Sequence, residues 1–481
     1  MRQIWSSCYI FVTAVLLLSV ITSCQESRIP GTLSSGATFV VESSEGSLDT
    51  VKLDFNGPWE VVSSPEWCSV SPAEGNAGPC VLTVTATSAN TALHEKEGIV
   101  SIMVNAGDEV SCYVVQRGED GISLISDAGL YVSPDEGSEV RISIEGNTAF
   151  DESSLSSDVD WLTYRGVEIT SDSLVLGDGE TVSEYYTADI ILAAGENASG
   201  SLRSGYVSVG GDEVAVTQVV SPEWSRDFYR HSAMIKITAT WCTNCPLMEV
   251  AFGIADEQMP GRIVPMNMHR TDSDGGLGWS GTDTFEKLYS VASVPMVAFN
   301  GFAKFQSLNS PSSTAMLMTR VAEEAVQNFP SRTNIMAAAS LTDRDIRIDA
   351  FVAAKEGGDY LLAAYVLEDS IIGFQDDAHG IVEDPYHYVH RHIVRGSLTE
   401  LTGDPVPAVS DGEMAHIIIN GELPSSVSDP SNTYIVLYVS TPGDPDMSLC
   451  TVPSVNYASS GYVIDNVTTV QMNGFTDFQY E

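Results

Sequence analysis

Cys242 and Cys245 stand two residues apart in the string Trp241-Cys242-Thr243-Asn244-Cys245-Pro246. At this spacing two thiols can close a disulfide with each other or exchange one with a partner. The run Met234-Ile235-Lys236-Ile237-Thr238-Ala239 before them reads as a buried strand. Leu247, Met248, Val250, Ala251, Ile254 and Ala255 after them recur at helical spacing as far as Gly261. Cys242 is thereby placed at a helix N-terminus, where unpaired N–H groups and the helix dipole stabilise a thiolate. Cys242 would attack a partner disulfide, and Cys245 would reach back to resolve the mixed disulfide. The same pair also suits half of a zinc site, though no second pair completes it, or a purely structural disulfide.

The elements around the pair continue in an ordered way. Arg262–Met268 reads as a second strand, and a helix falls near Asp283–Tyr289. Ser293-Val294-Pro295-Met296-Val297-Ala298-Phe299 follows, and Ser313–Phe329 reads as a last helix. A Cys-x-x-Cys at a strand-to-helix junction, with Val-Pro about 50 residues later, resembles the thioredoxin fold. The resemblance implies an α/β module over residues 226–330, with Pro295 as a cis proline opposite the dithiol. Many members of that family carry a buried acid six residues before the first cysteine, as proton relay for the resolving thiol; here the position is Lys236. A cation there favours the thiolate and hence the reduced form, which raises the reduction potential. The expectation is a thiol–disulfide oxidoreductase or isomerase that oxidises rather than reduces.

Further downstream, Tyr360–Gln375 reads as a strand leading into an acidic turn with Glu368, Asp369 and Gln375. Tyr388-Val389-His390-Arg391-His392-Ile393-Val394-Arg395-Gly396 follows. With the Trp-Cys-x-Asn-Cys-Pro string, these resemble the twenty-eight-kilodalton outer membrane protein family of Bacteroidetes lipoproteins, over about residues 226–481. That family joins a thioredoxin-like module to a C-terminal β-sandwich, here 331–481, and His269 matches a family histidine near the dithiol, in a structural role. His387, His390 and His392 invite a metal test. In a strand the last two share a face about 6–7 Å apart. A structural or surface cluster suits them better, and Asp376-Asp377 and Asp444-Pro445-Asp446 match no calcium loop. No metal or other cofactor is expected.

The N-terminus carries an address. Arg2 precedes an apolar stretch densest over Phe11–Val20, followed by Ile21-Thr22-Ser23-Cys24. Residues 1–23 therefore read as a secretory signal, too short for a membrane span. The ending resembles the lipobox of bacterial lipoproteins, which implies acylation of Cys24, a linker over 24–35 and a lipid anchor in the outer membrane. Two repeats follow, 36–119 and 122–221, with period-2 patterning that reads as two β-sandwiches. Gly107-Asp108-Glu109-Val110 recurs as Gly211-Asp212-Glu213-Val214, and Trp67 aligns with Trp161. The string Trp67-Cys68-Ser69-Val70-Ser71-Pro72 resembles the BACON domain, a module proposed to bind carbohydrate; the second repeat is divergent, with an insertion near Glu168–Tyr186. Trp67 and Trp161 read as core, which leaves Trp59 as the freer platform for a glycan. Cys68 and Cys112 read as core thiols, a Cys68–Cys80 bridge is open, and Cys450 stands alone.

Composition bounds the function. Asp and Glu number 65 against 22 Lys and Arg, for a formal net charge of −43, and no Lys or Arg follows Arg395. Nucleic acid and a polybasic grip on lipid are thereby excluded as partners. The fold class expected is multidomain: N-terminal all-β sandwiches, a central α/β module and a C-terminal sandwich. Two functions compete. One is thiol–disulfide exchange with envelope proteins through Cys242 and Cys245; the other is a non-enzymatic surface protein whose sandwiches dock glycan or protein.

Overall fold

The computed structural model describes residues 37–105, 107–125, 129–171, 185–308 and 310–481. The signal, Cys24, the linker and most of the insertion in the second repeat lie outside the described residues. The chain forms two compact units, the second of which holds Thr217–Glu481.

In the first unit, alternation of buried and exposed residues builds paired sheets, as a period-2 pattern requires. Thr38–Val41, Asp108–Gln116, Lys96–Val104, Trp59–Ser63 and Glu74–Gly75 form one sheet; Leu48–Phe55, Gly78–Ala86 and Cys68–Ser71 form the other. Phe39, Leu82, Val100 and Cys112 pack between them. In the second repeat Ile122–Leu124, Glu139–Gly146, Tyr186–Ala194 and Leu162–Ser171 share a sheet. The repeat correspondence is exact enough to reuse hydrogen bonds: the N–H of Asn90 donates to Ser43 and that of Asn197 to Pro134, both at 2.7 Å. Cys68 and Cys80 are both free thiols, so no bridge joins them. Trp59 is not a free platform. It is 4% exposed and stacks on Phe55 at 4.7 Å, because its strand position faces inward.

The second unit begins with β1 (Ser232–Thr238), α1 (Cys245–Gln258), β2 (Ile263–His269), α2 (Thr282–Tyr289), β3 (Met296–Phe299), β4 (Ala303–Gln306) and α3 (Pro311–Asn328). Each element expected here from spacing is present to within three residues at its ends. It continues with β5 (Thr333–Thr342), β6 (Asp345–Ala354), β7 (Leu361–Glu368), β8 (Ile371–Gly373), β9 (Tyr388–His390), β10 (Ile393–Ser397), β11 (Asp404–Pro405), β12 (Glu413–Glu422), β13 (Thr433–Pro442), β14 (Asn456–Tyr457), β15 (Tyr462–Gln471) and β16 (Gly474–Thr476).

One large sheet runs β14-β4-β3-β1-β2-β10-β7-β13-β15, with β11 beside β7. β1 and β2 are parallel, β1 and β3 antiparallel. A second sheet, β12-β6-β5-β16, covers the C-terminal half of the first. Ile335, Ile348, Leu362, Val366 and Leu437 fill the space between them, so a C-terminal sandwich exists. One of its layers, however, is the continuation of the β1–β4 sheet. The seam is β2 against β10, where Asn267 pairs with Ile393 and donates its N–H to the His392 carbonyl at 2.7 Å. Residue 330 therefore separates no two sheets. A single apolar cluster on one face joins Ile235 and Met266 to Tyr365 and Val436 across that seam.

Candidate functional site

Strand parity decides what meets the dithiol. In β1, Ala233, Ile235 and Ile237 face the cluster shared with α2, whereas Met234 faces α1 and α3. Lys236 and Thr238 share the parity of Met234, so they point to the α1 side. Asn267 and His269 are their register partners in β2. The polar residues of two apolar strands are thus gathered on one face, under the helix that starts at Cys245.

That helix opens with Pro246 in its first turn, where a missing N–H costs nothing. Cys242 and Cys245 form a disulfide, with Cα atoms 5.5 Å apart. Ala239 and Val294 pack against the two sulfurs, and the Val294–Pro295 bond is cis. Both sulfurs are enclosed: Cys242 is 4% exposed and Cys245 2%, while Trp241 beside them is half-exposed.

A strap, residues 374–379, is tied to the loop that carries the cysteines. Gln375 Nε2 donates to the Cys242 carbonyl at 3.0 Å and the Asp376 carbonyl at 3.1 Å. The N–H of Asp376 donates to Thr240 at 2.8 Å and that of Ala378 to Thr243 at 3.0 Å. His379 Nε2 meets Asn244 Oδ1 at 2.7 Å. Asp377 braces the strap by accepting N–H groups from His379 and Val382 at 2.8 and 2.9 Å.

Behind the dithiol lies a cavity of about 830 Å³, lined in part by Lys236, Cys245, Glu249, His269, Gln375 and His390. Cys242 does not reach it. Glu249 Oε1 accepts from Lys236 Nζ and, at 2.7 Å, from Asn267 Nδ2. The same Asn267 amide nitrogen donates to the Arg391 carbonyl at 2.7 Å. Burial pushes the Lys236 ammonium down to about 7. The Glu249 carboxylate against it holds the proton in the opposite sense, as any opposite charge at contact does. Lys236 is therefore not the lone cation that its strand position implied; a counter-charge comes from the helix.

The histidines separate. Burial drives His269 well below its ordinary value, with further pushes from His390, Lys236 and Arg395, and its Nδ1 has no hydrogen-bond partner. Burial takes His390 down to about 4 despite its bond from Nε2 to the Phe374 carbonyl at 3.1 Å. The two rings meet edge to face at 5.3 Å. His392 does not share a strand face with His390. The strand breaks at Arg391, His392 takes φ 56°, and its Nδ1 turns to the Tyr434 hydroxyl at 2.8 Å. His387 pairs with Asp384 at 2.8 Å on the exposed side. Among the described residues no group of three His, Cys, Asp or Glu is placed to hold a metal ion.

The site thus brings together Cys242, Cys245, Pro295, Lys236 and His269. Sequence reading did not assign Glu249 or Asn267 to it. Their signal was available: each is a polar residue flanked by apolar ones, Met248 and Val250 in α1 and Met266 and Met268 in β2.

No curated protein matches this chain. Among solved structures, HBP35 of Porphyromonas gingivalis is 15% identical and covers 52% of this chain and 77% of its own, with a TM-score of 0.38. A structural-genomics protein from Agrobacterium tumefaciens is 12% identical and covers 52% of this chain and 97% of its own, with a TM-score of 0.33. A Bacteroides ovatus GH5 xyloglucanase, solved with a heptasaccharide, is 18% identical over 21% of this chain and 26% of its own, with a TM-score of 0.16. Likeness at these scores carries no functional weight. Residues 282–455, which supply α2, the strap and most C-terminal strands, match the family model described as outer membrane protein Omp28, and over that stretch the chain is similar to that family.

Proposed function

We propose that this protein is a lipid-anchored outer-membrane protein that exchanges disulfides with proteins of the cell envelope. Cys24 carries the anchor, and a thioredoxin-like module carries the exchange. Cys242 attacks and Cys245 resolves. The observation that supports this most is the Cys242–Cys245 pair itself, set at the opening of α1 between β1 and the Val294–Pro295 turn. Helix N-termini favour the thiolate that such chemistry needs. The two N-terminal sandwiches, BACON-like in sequence, serve as spacer or docking units.

The test is trapping in the full-length, anchored chain. A Cys245→Ser variant cannot resolve, so discrete mixed disulfides with envelope proteins are expected on non-reducing gels. They should vanish in the Cys242→Ser, Cys245→Ser double variant. No adduct from the single variant sinks the exchange reading.

One observation favours a second reading. Both cysteines are enclosed, at 4% and 2% exposure, which suits a structural disulfide in a surface binding protein whose sandwiches dock glycan or protein. Under that reading the double variant loses thermal stability, and no partner is ever trapped.

A further inference from the structure

The two cysteines differ in their surroundings. Cys242 lies under the strap, and its carbonyl is held by Gln375 at 3.0 Å. Cys245 instead lines the cavity behind α1, together with Glu249. These two residues are four apart on one helix, hence stacked on the same face. Glu249 is fixed there by Lys236 Nζ and by Asn267 Nδ2 at 2.7 Å.

We infer that Glu249 is the proton acceptor for the resolving thiol of Cys245, working across this cavity. The inference rests on the exchange reading above. It assigns to a helix carboxylate the task that the strand position, occupied by Lys236, does not perform with an acid.

Other groups around the cavity suit the task less well. Lys236 is 3% exposed, so a proton placed on it has no direct exit. The Glu249 side chain is 23% exposed and connects the buried pair to solvent. His269 is buried and held far below its ordinary value, which makes it a weak base. His390 is committed through Nε2 to the Phe374 carbonyl.

The step balances as follows. The Cys242 thiolate attacks a protein disulfide, forming a mixed disulfide and releasing one partner thiolate. The Cys245 thiol gives its proton to the Glu249 carboxylate, and the resulting thiolate attacks Cys242 Sγ. The Cys242–Cys245 bond forms as the mixed bond breaks, and the second partner sulfur leaves as a thiolate. The dithiol loses two electrons and the partner disulfide gains them. The proton on Glu249 passes to water at its exposed side, and the partner thiolates take protons from solvent.

The two steps can be read separately with 5,5′-dithiobis(2-nitrobenzoate) on the reduced full-length chain. A first nitrothiolate release reports attack by Cys242, and a second reports resolution by Cys245. Release from Cys68, Cys80, Cys112 and Cys450 is subtracted with the Cys242→Ser, Cys245→Ser variant. Glu249→Gln is expected to lower the ratio of second to first release rates about a hundredfold or more, the range for loss of a general base. Glu249→Asp is expected to recover most of that ratio, which a merely structural carboxylate would not explain. An unchanged ratio in Glu249→Gln overturns the assignment. Should the Gln side chain prevent folding, the second release of the wild-type chain in D₂O decides: it should slow about twofold, and equal rates in H₂O and D₂O overturn the assignment. Absence of any first release overturns the exchange reading itself.

Discussion

At the scale of single residues, the site is a set of ionisable groups held where water does not reach. His269 and His390 are neutral in the folded chain because burial penalises their charged forms. In the unfolded chain both titrate near 6.5, so below that value the unfolded state binds more protons than the folded one. Stability is then complete above about pH 6.5 and falls as pH drops toward 4. For His390 alone the loss is on the order of 3 kcal/mol, from a shift to about 4 at roughly 1.4 kcal/mol per unit. Urea titrations of the wild type at pH 7 and pH 4.5 should show that loss, and His390→Gln should flatten it. An identical pH slope in the variant would count against a buried neutral imidazole. His390 was visible in the sequence as a residue; its burial was not, since β9 comes from a region with mixed patterning.

At the scale of elements, the strap is tied to the loop that carries the dithiol. Its hold on the Cys loop is backbone-to-backbone at Asp376 and Ala378, and side-chain to backbone at Gln375. The Gln375 bond to the Cys242 carbonyl should contribute about 1 kcal/mol. Gln375→Ala should therefore speed reduction of the Cys242–Cys245 disulfide by a water-soluble phosphine about fivefold. An unchanged rate would mean that the strap is not what limits access. Helix and strand positions around the pair were legible from spacing, because β1 and α1 carry clean apolar runs on either side of Cys242. The strap was legible only as a family string. Nothing in the spacing of Gln375 indicates that it crosses more than a hundred residues of chain to reach a carbonyl.

At the scale of the whole molecule, the continuous sheet changes what counts as a unit. Removing residues 331–481 would strip β10 from the edge of β2 and expose half of the cluster around Ile235, Met266 and Tyr365. A fragment of residues 226–330 is therefore expected to lack a cooperative thermal transition. A fragment of residues 217–481 should melt in one transition, since its core is shared across the seam. Circular dichroism melts of the two fragments check this, and a cooperative melt of the shorter one would refute it. The net charge of −43 argues, from composition alone, against nucleic acid as a partner. It does not describe the site, where Lys236 and Glu249 pair within the interior.

Local pattern was enough for the sequence to determine the strands and helices around Cys242 and the paired sheets of the N-terminal part, and short strings carried the likeness to Omp28 that the match over residues 282–455 supports. These follow from periodicity, turn residues and short motifs, which are contiguous in the chain. Only the tertiary structure decided that Trp59 faces inward, that Glu249 answers Lys236, that His390 and His392 part company, and that one sheet spans residue 330. Each of these depends on which distant strand lies beside which. Pairing energy between strands comes from neighbours far apart in sequence, so no local spacing encodes it.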